Sequence, residues 1–307
     1  MTFSSPLSWM VDDSSPRSGF KIFMERLMDP CFSGYRRGSA LLSFVGLGLY
    51  DEEGLSLKGL EEVRRADLLF AELYTSFMPG LSVSRLEVLA GKRVRILSRR
   101  DLEEDAEPIL LEPAKAMRVC LLVPGDPMTA TTHVDLRLRA EAMGVATRVV
   151  HAASIETAAP AAAGLQSYKF GRSVTVPFIE GCSLPGSIYD YCRDNKALGL
   201  HTLILLDLRV EEGRFMSIPE ALRILSRLEE SRGEGVFPGD RLMVGMARLG
   251  GPDAVVKADR LEELMDFEFG GPPYTLIAPG RLHFMEAEAL KVLAGAPEEV
   301  FRDRGRG

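Results

Sequence analysis

Short apolar runs alternate with segments of helical periodicity along most of the chain. Residues 41–47 form an apolar run typical of a buried strand, and Ser56 is predicted to be the N-cap of a helix with Leu57, Leu60 and Val63 on its apolar face. Further strands are predicted at residues 67–73, 94–97, 119–123 and 147–150. Strands separated by helices of this length need crossover connections, so the first half is predicted to contain a mostly parallel sheet covered on both faces.

The pattern changes after an alanine-rich helical segment, residues 158–163, that ends at Gly164. Strands are predicted at residues 173–178, 202–208, 242–247, 254–257 and 275–278, and helices at 188–198, 218–228 and 284–293. No helix is predicted between Ala247 and Ala254, which favours a mixed sheet in the second half. The predicted fold class is α/β, with an N-terminal domain at residues 39–163 and a C-terminal domain at residues 164–307.

The first 38 residues differ from the rest. They contain scattered serines and prolines and show no lasting periodicity. A basic start followed by an apolar core, as in a secretory signal, is missing. We interpret this segment as a disordered leader, or as the result of a start codon assigned too far upstream.

Composition and charge exclude several classes of protein. A chain of 307 residues with 46% hydrophobic and 26% charged residues suits two globular domains and is neither disordered nor collagen-like. Its apolar runs are far shorter than the roughly 20 residues of a membrane-spanning helix, so a soluble protein is predicted. A net charge of -7 argues against a broad nucleic-acid-binding surface.

The four cysteines lie far apart without a C-x-x-C pair, which fits neither a zinc site nor a small disulfide framework. Cys182 and Cys192 are the one pair close enough in sequence to be a disulfide candidate. We therefore expect a reduced, cytoplasmic protein without a metal site.

Candidate ligand-binding residues follow the predicted strands, because open parallel sheets bind ligands at the carboxyl ends of their strands. Gly46 and Gly48 allow a tight turn and a close approach of backbone to a ligand, but the third glycine of a dinucleotide fingerprint is missing. Pro124 and Pro127 bracket Asp126 and fix its carboxylate at the end of the fourth strand. The alternative is a rigid turn in which Asp126 accepts nearby N–H groups.

Other candidate positions are less specific. Ser154 is a plain N-cap for the alanine-rich helix, and a lone histidine such as His283 is more often structural than catalytic. The basic stretch at residues 92–100 is interpreted as a solvated strand edge, with contact to an acidic partner as the alternative. Nucleophile elbow, Walker loop, H-E-x-x-H and paired-carboxylate motifs do not occur.

Several motifs together point to one family. They are FVGLGLYD at 44–51, KGL at 58–60, ELYTS at 72–76 and PGDP at 124–127, continued by YKFG at 168–171, GLHTL at 199–203, PGRLH at 279–283 and EAE at 286–288. In combination they resemble the diphthine synthases, the methyltransferases of diphthamide biosynthesis within the tetrapyrrole-methylase-like class of S-adenosylmethionine enzymes. The resemblance extends from about residue 39 to the C-terminus.

This resemblance implies a two-domain subunit in a homodimer, with S-adenosylmethionine in the cleft between the domains. The implied partner is translation elongation factor 2, on which a histidine already carries a 3-amino-3-carboxypropyl group. Archaeal members trimethylate that amine to give diphthine, whereas eukaryotic relatives add a fourth methyl group as an ester, and the compact length favours the archaeal type. The motif positions implied to contact the donor are Leu49, Asp126, Thr129, Ser154, Ile155 and His283, and counting along strand ends adds Leu206 and Ala247.

Three alternatives remain open at this stage. A methylase of small tetrapyrroles would share the fold and the donor, and a nicotinamide-binding dehydrogenase would use the Gly46 to Gly48 turn for a pyrophosphate. A binding module for elongation factor 2 without turnover is the non-enzymatic alternative. Methyl transfer from a sulfonium depends on in-line positioning and needs neither a metal nor a covalent nucleophile. The sequence identifies no general base.

Overall fold

The computed structural model describes residues 40–181 and 184–302, which belong to one compact unit. The predicted leader, residues 1–38, and Cys182 lie outside the described residues. Cys192 is a buried free thiol. Among the described helices, none has the length and apolar composition that a membrane crossing requires.

The first sheet is entirely parallel, as predicted. Its strands are β1 (Leu41–Gly46), β2 (Leu68–Glu72), β3 (Arg95–Leu97), β4 (Arg118–Val123) and β5 (Thr147–Val150), in the spatial order β3-β2-β4-β1-β5. The helices of this half are α1 (Leu57–Arg65), α2 (Val83–Ala90), α3 (Arg99–Glu103), a π-helix (Glu107–Leu111), α4 (Glu112–Ala114) and α5 (His133–Ala142). Every residue of β1 is buried, as expected of a parallel strand with neighbours on both sides and helices over both faces.

The second sheet is mixed, as predicted. Its strands are β6 (Val174–Val176), β7 (Thr202–Leu206), β10 (Leu242–Ala247), β11 (Val255–Arg260) and β12 (Tyr274–Ala278), and a separate hairpin pairs β8 (Leu208–Arg209) with β9 (Arg214–Phe215). In the order β11-β10-β12-β7-β6, only β6 and β7 pair in parallel. The helices are α6 (Ile155–Ala163), α7 (Gly186–Ala197), α8 (Ile218–Arg232), α9 (Leu261–Asp266), α10 (Phe284–Ala294) and α11 (Glu299–Arg302).

Helix α6 packs with the second sheet. Ala159 and Ala163 belong to the same buried cluster as Leu203, Val244 and Ile277. The segment that the sequence analysis placed at the end of the first domain therefore contributes to the core of the second half. The division of the chain at residue 163 stays a prediction.

The predicted apolar face of α1 is wrong in part. Ser56 is the N-cap, and its hydroxyl accepts from the backbone N–H of Gly59 at 3.0 Å. Leu57, however, is 87% exposed, and the buried side of the helix is formed by Gly59, Glu62 and Val63. Glu62 is buried because its carboxylate binds the Arg118 and Arg148 guanidinium groups from two strands. Hydrophobic periodicity alone therefore assigned Leu57 wrongly to the buried side.

The ends of β1, β4 and β5 approach each other so closely that Gly46 has no room for a side chain. A Cβ atom at Gly46 would lie 2.5 Å from the carbonyl oxygen of Gly125 and 2.7 Å from the Cβ of Ala152. Just beyond, Gly48 and Gly125 exchange backbone hydrogen bonds. The predicted close approach of a ligand is not met at Gly46, where the space is taken by the loops after β4 and β5.

Gly46→Ala is expected to destabilise the protein by about 2 kcal/mol, because a backbone carbonyl must move to accept the added methyl group. The free energy of unfolding from a denaturant titration checks this. Gly271→Ala is the matched control, since a Cβ there would meet nothing within 4 Å. Equal stability of the two variants would contradict the proposed crowding.

A buried ionic network ties α10 to the segments before β6 and β7. The Glu286 carboxylate accepts from the backbone N–H groups of Gln166 at 2.9 Å and His283 at 2.8 Å, and from the Lys169 ammonium. His201 Nε2 donates to it at 3.0 Å, because Nδ1 of that ring accepts the backbone N–H of Gly280 at 2.9 Å. Burial by itself raises the pKa of Glu286, but Lys169 and the other donors outweigh it and lower the pKa to about 2.

Glu286→Gln is expected to lower the free energy of unfolding at neutral pH by about 3 kcal/mol. This value corresponds to the fall of the Glu286 pKa from 4.5 to about 2 on folding. A lowered pKa stabilises the fold above the unfolded-state pKa, and this stabilisation disappears as pH falls from 4.5 towards 2. The difference between wild type and variant should therefore shrink over that range. Glu288→Gln, at an exposed position on the same helix, serves as control, and a pH-independent difference for Glu286→Gln would contradict the prediction.

Candidate active site

A cavity of 380 Å³ lies where strand ends of the two sheets come together. Its lining comes from the loops after β1, β2, β4 and β5, from α3, and from residues of β6, β7, β10 and β12 with their adjoining loops. The volume falls within the range of about 300–1,000 Å³ typical of small-molecule sites. The position agrees with the rule that α/β sheets bind ligands at the carboxyl ends of their parallel strands.

This cavity is lined by seven of the eight residues that the sequence predicts to contact the methyl donor. They are Leu49, Asp126, Thr129, Ser154, Ile155, Leu206 and Ala247. Leu206 and Ala247, which were placed only by counting, are the last residues of β7 and β10. Residues up to 198 positions apart along the chain, Leu49 and Ala247, are thus collected around one space.

His283 is not among the lining residues. It is the N-cap of α10, where its Nδ1 accepts the backbone N–H of Met285 at 3.3 Å. The backbone N–H of His283 donates to the Glu286 carboxylate. Its ring also lies against that of Phe284, with centroids 4.3 Å apart. These contacts give His283 a structural role, and the structure does not bring it to the cavity wall with the other seven.

The Asp126 carboxylate joins two loops. Oδ1 accepts from the Met128 backbone N–H at 3.0 Å and the Thr129 hydroxyl at 3.3 Å, all within the loop after β4. Oδ2 accepts from His151 Nδ1 at 2.7 Å and the Ala152 backbone N–H at 3.3 Å, both after β5. Burial raises the pKa of Asp126, but the Met128, His151 and Ala152 donors prevail and lower it, so the carboxylate stays ionised at the cavity wall.

Two non-glycine residues with left-handed backbone also lie at the cavity. Ala130 has φ 54° and Arg248 has φ 49°, a conformation that costs about 1 kcal/mol or more for such residues. Arg248 is held by its guanidinium, which donates from Nε to Asp253 at 2.6 Å and from Nη1 to the Phe269 carbonyl at 2.8 Å. Strained backbone of this kind concentrates at functional sites.

A polar part of the lining is not among the site residues predicted from the sequence. Tyr74, Thr75 and Ser76, which follow β2, line the cavity together with Arg99 and Glu103 of α3. The ELYTS motif was the available signal, but it was used only to identify the family. Arg99 is solvated as predicted, with a side chain 61% exposed, but it lies on α3 and not on a strand edge. It also lines the cavity, with its guanidinium 5.3 Å from the Tyr74 ring centroid.

Titratable groups in this polar part are shifted by burial. Burial, followed by the negative charges of Glu72 and Glu103, raises the pKa of Tyr74 to about 12, so its phenol stays protonated at neutral pH. Burial also raises the pKa of Glu72, which lies directly behind Thr75. Within the part of the chain that the structure describes, no group of three or more His, Cys, Asp or Glu side chains is arranged to hold a metal ion.

Comparison with known proteins shows to which family this chain belongs. The family model of the Tetrapyrrole (Corrin/Porphyrin) Methylases matches residues 41–265, which include strands of both sheets. The chain is 47% identical over 262 residues to the diphthine synthase of Methanosarcina barkeri, covering 84% of this chain and 97% of that one. The chain belongs to the diphthine synthase family.

A second relative and a solved structure agree with this assignment. The diphthine synthase of Methanothermobacter thermautotrophicus is 42% identical over 260 residues, which is 85% of this chain and 98% of that one. A crystal structure of diphthine synthase superimposes with a TM-score of 0.77 at 42% identity, over 85% of this chain and 99% of that one. The protein is therefore an S-adenosylmethionine-dependent methyltransferase of diphthamide biosynthesis, and the nicotinamide-binding alternative is rejected.

Asp126→Asn is expected to weaken binding of S-adenosylhomocysteine at least tenfold, about 1.4 kcal/mol, while the fold survives. An amide offers only one acceptor oxygen, so either the Met128 or the His151 side of the junction is lost. Isothermal titration measures the affinity, and thermal unfolding reports the fold. Asp135→Asn, at an exposed position on α5, is the control. Unchanged affinity with a lowered melting temperature would assign Asp126 to the turn alone.

Proposed function

We propose that this protein transfers methyl groups from S-adenosylmethionine to the amine of a 3-amino-3-carboxypropyl histidine on translation elongation factor 2, three times, to give diphthine. The observation that carries the proposal is one cavity. Its lining combines the residues predicted to contact the methyl donor with a polar part suited to an amino-acid group. The family assignment supports the reaction class.

The donor would occupy the part of the cavity lined by the seven positions named above. Leu49, Ile155, Leu206 and Ala247 offer apolar surface, and the ionised Asp126 carboxylate opposes the positive charge of a sulfonium. S-adenosylmethionine supplies an electrophilic methyl group when bound. The mixture of apolar walls with one fixed carboxylate therefore fits this donor.

The acceptor would occupy the polar part. The 3-amino-3-carboxypropyl group carries a carboxylate beside its amine, and Arg99 is a cation in the lining that can pair with that carboxylate. Thr75 and Ser76, from the loop after β2, provide hydroxyl groups to receive hydrogen bonds from the amine. Holding both reactants in one cavity supplies the proximity and orientation on which methyl transfer depends.

We also propose a cytoplasmic homodimer. Support comes from α10, on which Phe284 and Val292 are 73% and 71% exposed and Met285 and Leu293 are also largely exposed. Apolar side chains grouped on one surface helix are typical of an association surface. Neither a nucleic acid nor a membrane partner is proposed, in keeping with the net charge of -7.

Incubation of the purified protein with elongation factor 2 that carries the 3-amino-3-carboxypropyl group, S-adenosylmethionine and a chelator is expected to raise the intact mass of the factor. Mass gains in steps of one methylene that stop at three would support the proposal, and a fourth step would indicate the ester-forming reaction. No gain on the factor together with methylation of a small tetrapyrrole would replace the proposed acceptor. Binding of the factor without any gain would indicate a module without turnover.

A further inference from the structure

The amine of the proposed acceptor is an ammonium at neutral pH and must lose a proton before each attack on a methyl group. Of the acidic side chains that line the cavity, Asp126 and Asp207 are held by hydrogen-bond donors and Glu103 lies beside a guanidinium. The oxygens of Asp126 accept four hydrogen bonds, and those of Asp207 each accept one backbone N–H, from Phe178 and Leu208 at 2.9 Å. Glu103 is half exposed and lies beside Arg99. One further carboxyl group lies behind the cavity wall.

Glu72, the last residue of β2, is fully buried and reaches the cavity through a neighbour. Its Oε1 accepts the Thr75 hydroxyl at 2.5 Å, and its Oε2 accepts the Thr75 backbone N–H at 3.1 Å. Thr75 itself lines the cavity. A hydroxyl that donates to a carboxylate still has lone pairs with which it can accept from a group in the cavity.

His133 faces Glu72 from the other side. Its Nε2 lies 3.7 Å from Glu72 Oε1, and both side chains are almost completely buried. Nδ1 of the ring lies 3.2 Å from the Pro127 carbonyl oxygen, which can only accept, and 2.7 Å from the Thr131 hydroxyl oxygen, which already accepts the His133 backbone N–H. Because the Pro127 carbonyl has no proton to give, its contact with Nδ1 assigns the ring proton to Nδ1, and the Nε2 of the neutral ring then faces the carboxyl group.

From this arrangement we propose that Glu72 is the proton acceptor of the methyl transfer, reached through the Thr75 hydroxyl and backed by His133. The inference rests on the proposed function. Thr75 Oγ1 takes a proton from the acceptor ammonium while its own proton passes to Glu72 Oε1. One N–H bond breaks and one carboxyl O–H bond forms, and an ammonium with a carboxylate becomes a neutral amine with a neutral acid. The amine lone pair is then free to attack.

The electrostatic surroundings suit this task. Burial raises the pKa of Glu72, although its hydrogen bonds to Thr75 and Tyr74 and the charge of Arg99 oppose the rise. Burial lowers the pKa of His133, which keeps that ring neutral. A carboxyl group of raised pKa accepts a proton from an ammonium more readily than an ordinary one does, because the two pKa values are closer. Tyr74, which also lies beside Glu72, is already protonated at neutral pH and cannot serve as the base.

The test uses Glu72→Gln and Thr75→Val, two substitutions that nearly preserve shape. Rates of transfer of the first methyl group to the modified elongation factor 2 are measured at saturating donor between about pH 6.5 and about pH 9.5, which approaches the pKa of an amino-acid amine. Both variants should be about 100-fold slower than wild type near neutral pH. Their rates should then rise with pH and approach the wild-type rate, because the solvent removes the proton at high pH.

Glu62→Gln is the matched control, since Glu62 is an equally buried carboxylate of the same half but binds two arginines away from the cavity. Its pH profile should keep the wild-type form. Affinity for S-adenosylhomocysteine should be unchanged in the Glu72 and Thr75 variants. A wild-type profile for Glu72→Gln, or a loss that is the same at every pH, would overturn the inference. If Glu72→Gln does not fold, the profile of Thr75→Val decides.

The two proposals fail in different ways. A wild-type protein that transfers no methyl group to the factor would refute the proposed acceptor, and this inference with it. An active wild type whose Glu72 and Thr75 variants keep its pH profile would refute only the role of Glu72.

Discussion

The cavity depends on one buried carboxylate. Asp126 accepts hydrogen bonds from the loop that follows β4 and from the loop that follows β5, and in doing so it fixes the positions of Thr129 and Ala152 relative to each other. A carboxylate removed from water is costly unless donors surround it, so these loops are held in the one arrangement that supplies them. The close approach of Gly46 to Gly125 completes the junction, because a larger residue would push the strand ends apart.

Three other buried carboxylates also need partners to offset the loss of water, and the partners differ between them. Glu62 binds Arg118 and Arg148 and connects α1 to the first sheet, while Glu286 binds Lys169 and connects α10 to the segment before β6. Both face permanent cations, and the Lys169 ammonium helps to lower the pKa of Glu286. Glu72 instead faces a hydroxyl and a neutral imidazole, so desolvation dominates and its pKa rises. A carboxyl group that can change its protonation state at modest cost is the kind that proton transfer requires.

Much of the fold could be predicted from local patterns. The parallel first sheet, the mixed second sheet and the N-cap at Ser56 follow from apolar runs, crossover lengths and capping preferences, which act between residues close in sequence. The buried face of α1 could not, because Glu62 is buried by arginines that lie far along the chain on β4 and β5. Hydrophobic periodicity predicts every glutamate to be exposed, whereas the partners of a glutamate side chain decide whether it is buried.

By itself, the sequence determined the α/β class and the family, since these are encoded in short motifs and in the order of the elements, and it predicted the residues at strand ends that contact the methyl donor. Only the tertiary structure decided that seven of those positions share one cavity and that His283 caps a helix away from its wall. It also placed Arg99 in the lining and Glu72 behind Thr75, facing His133. The reason is physical: the pKa of a carboxyl group and the partners of a buried charge depend on groups brought together by folding, and no local pattern encodes those distances.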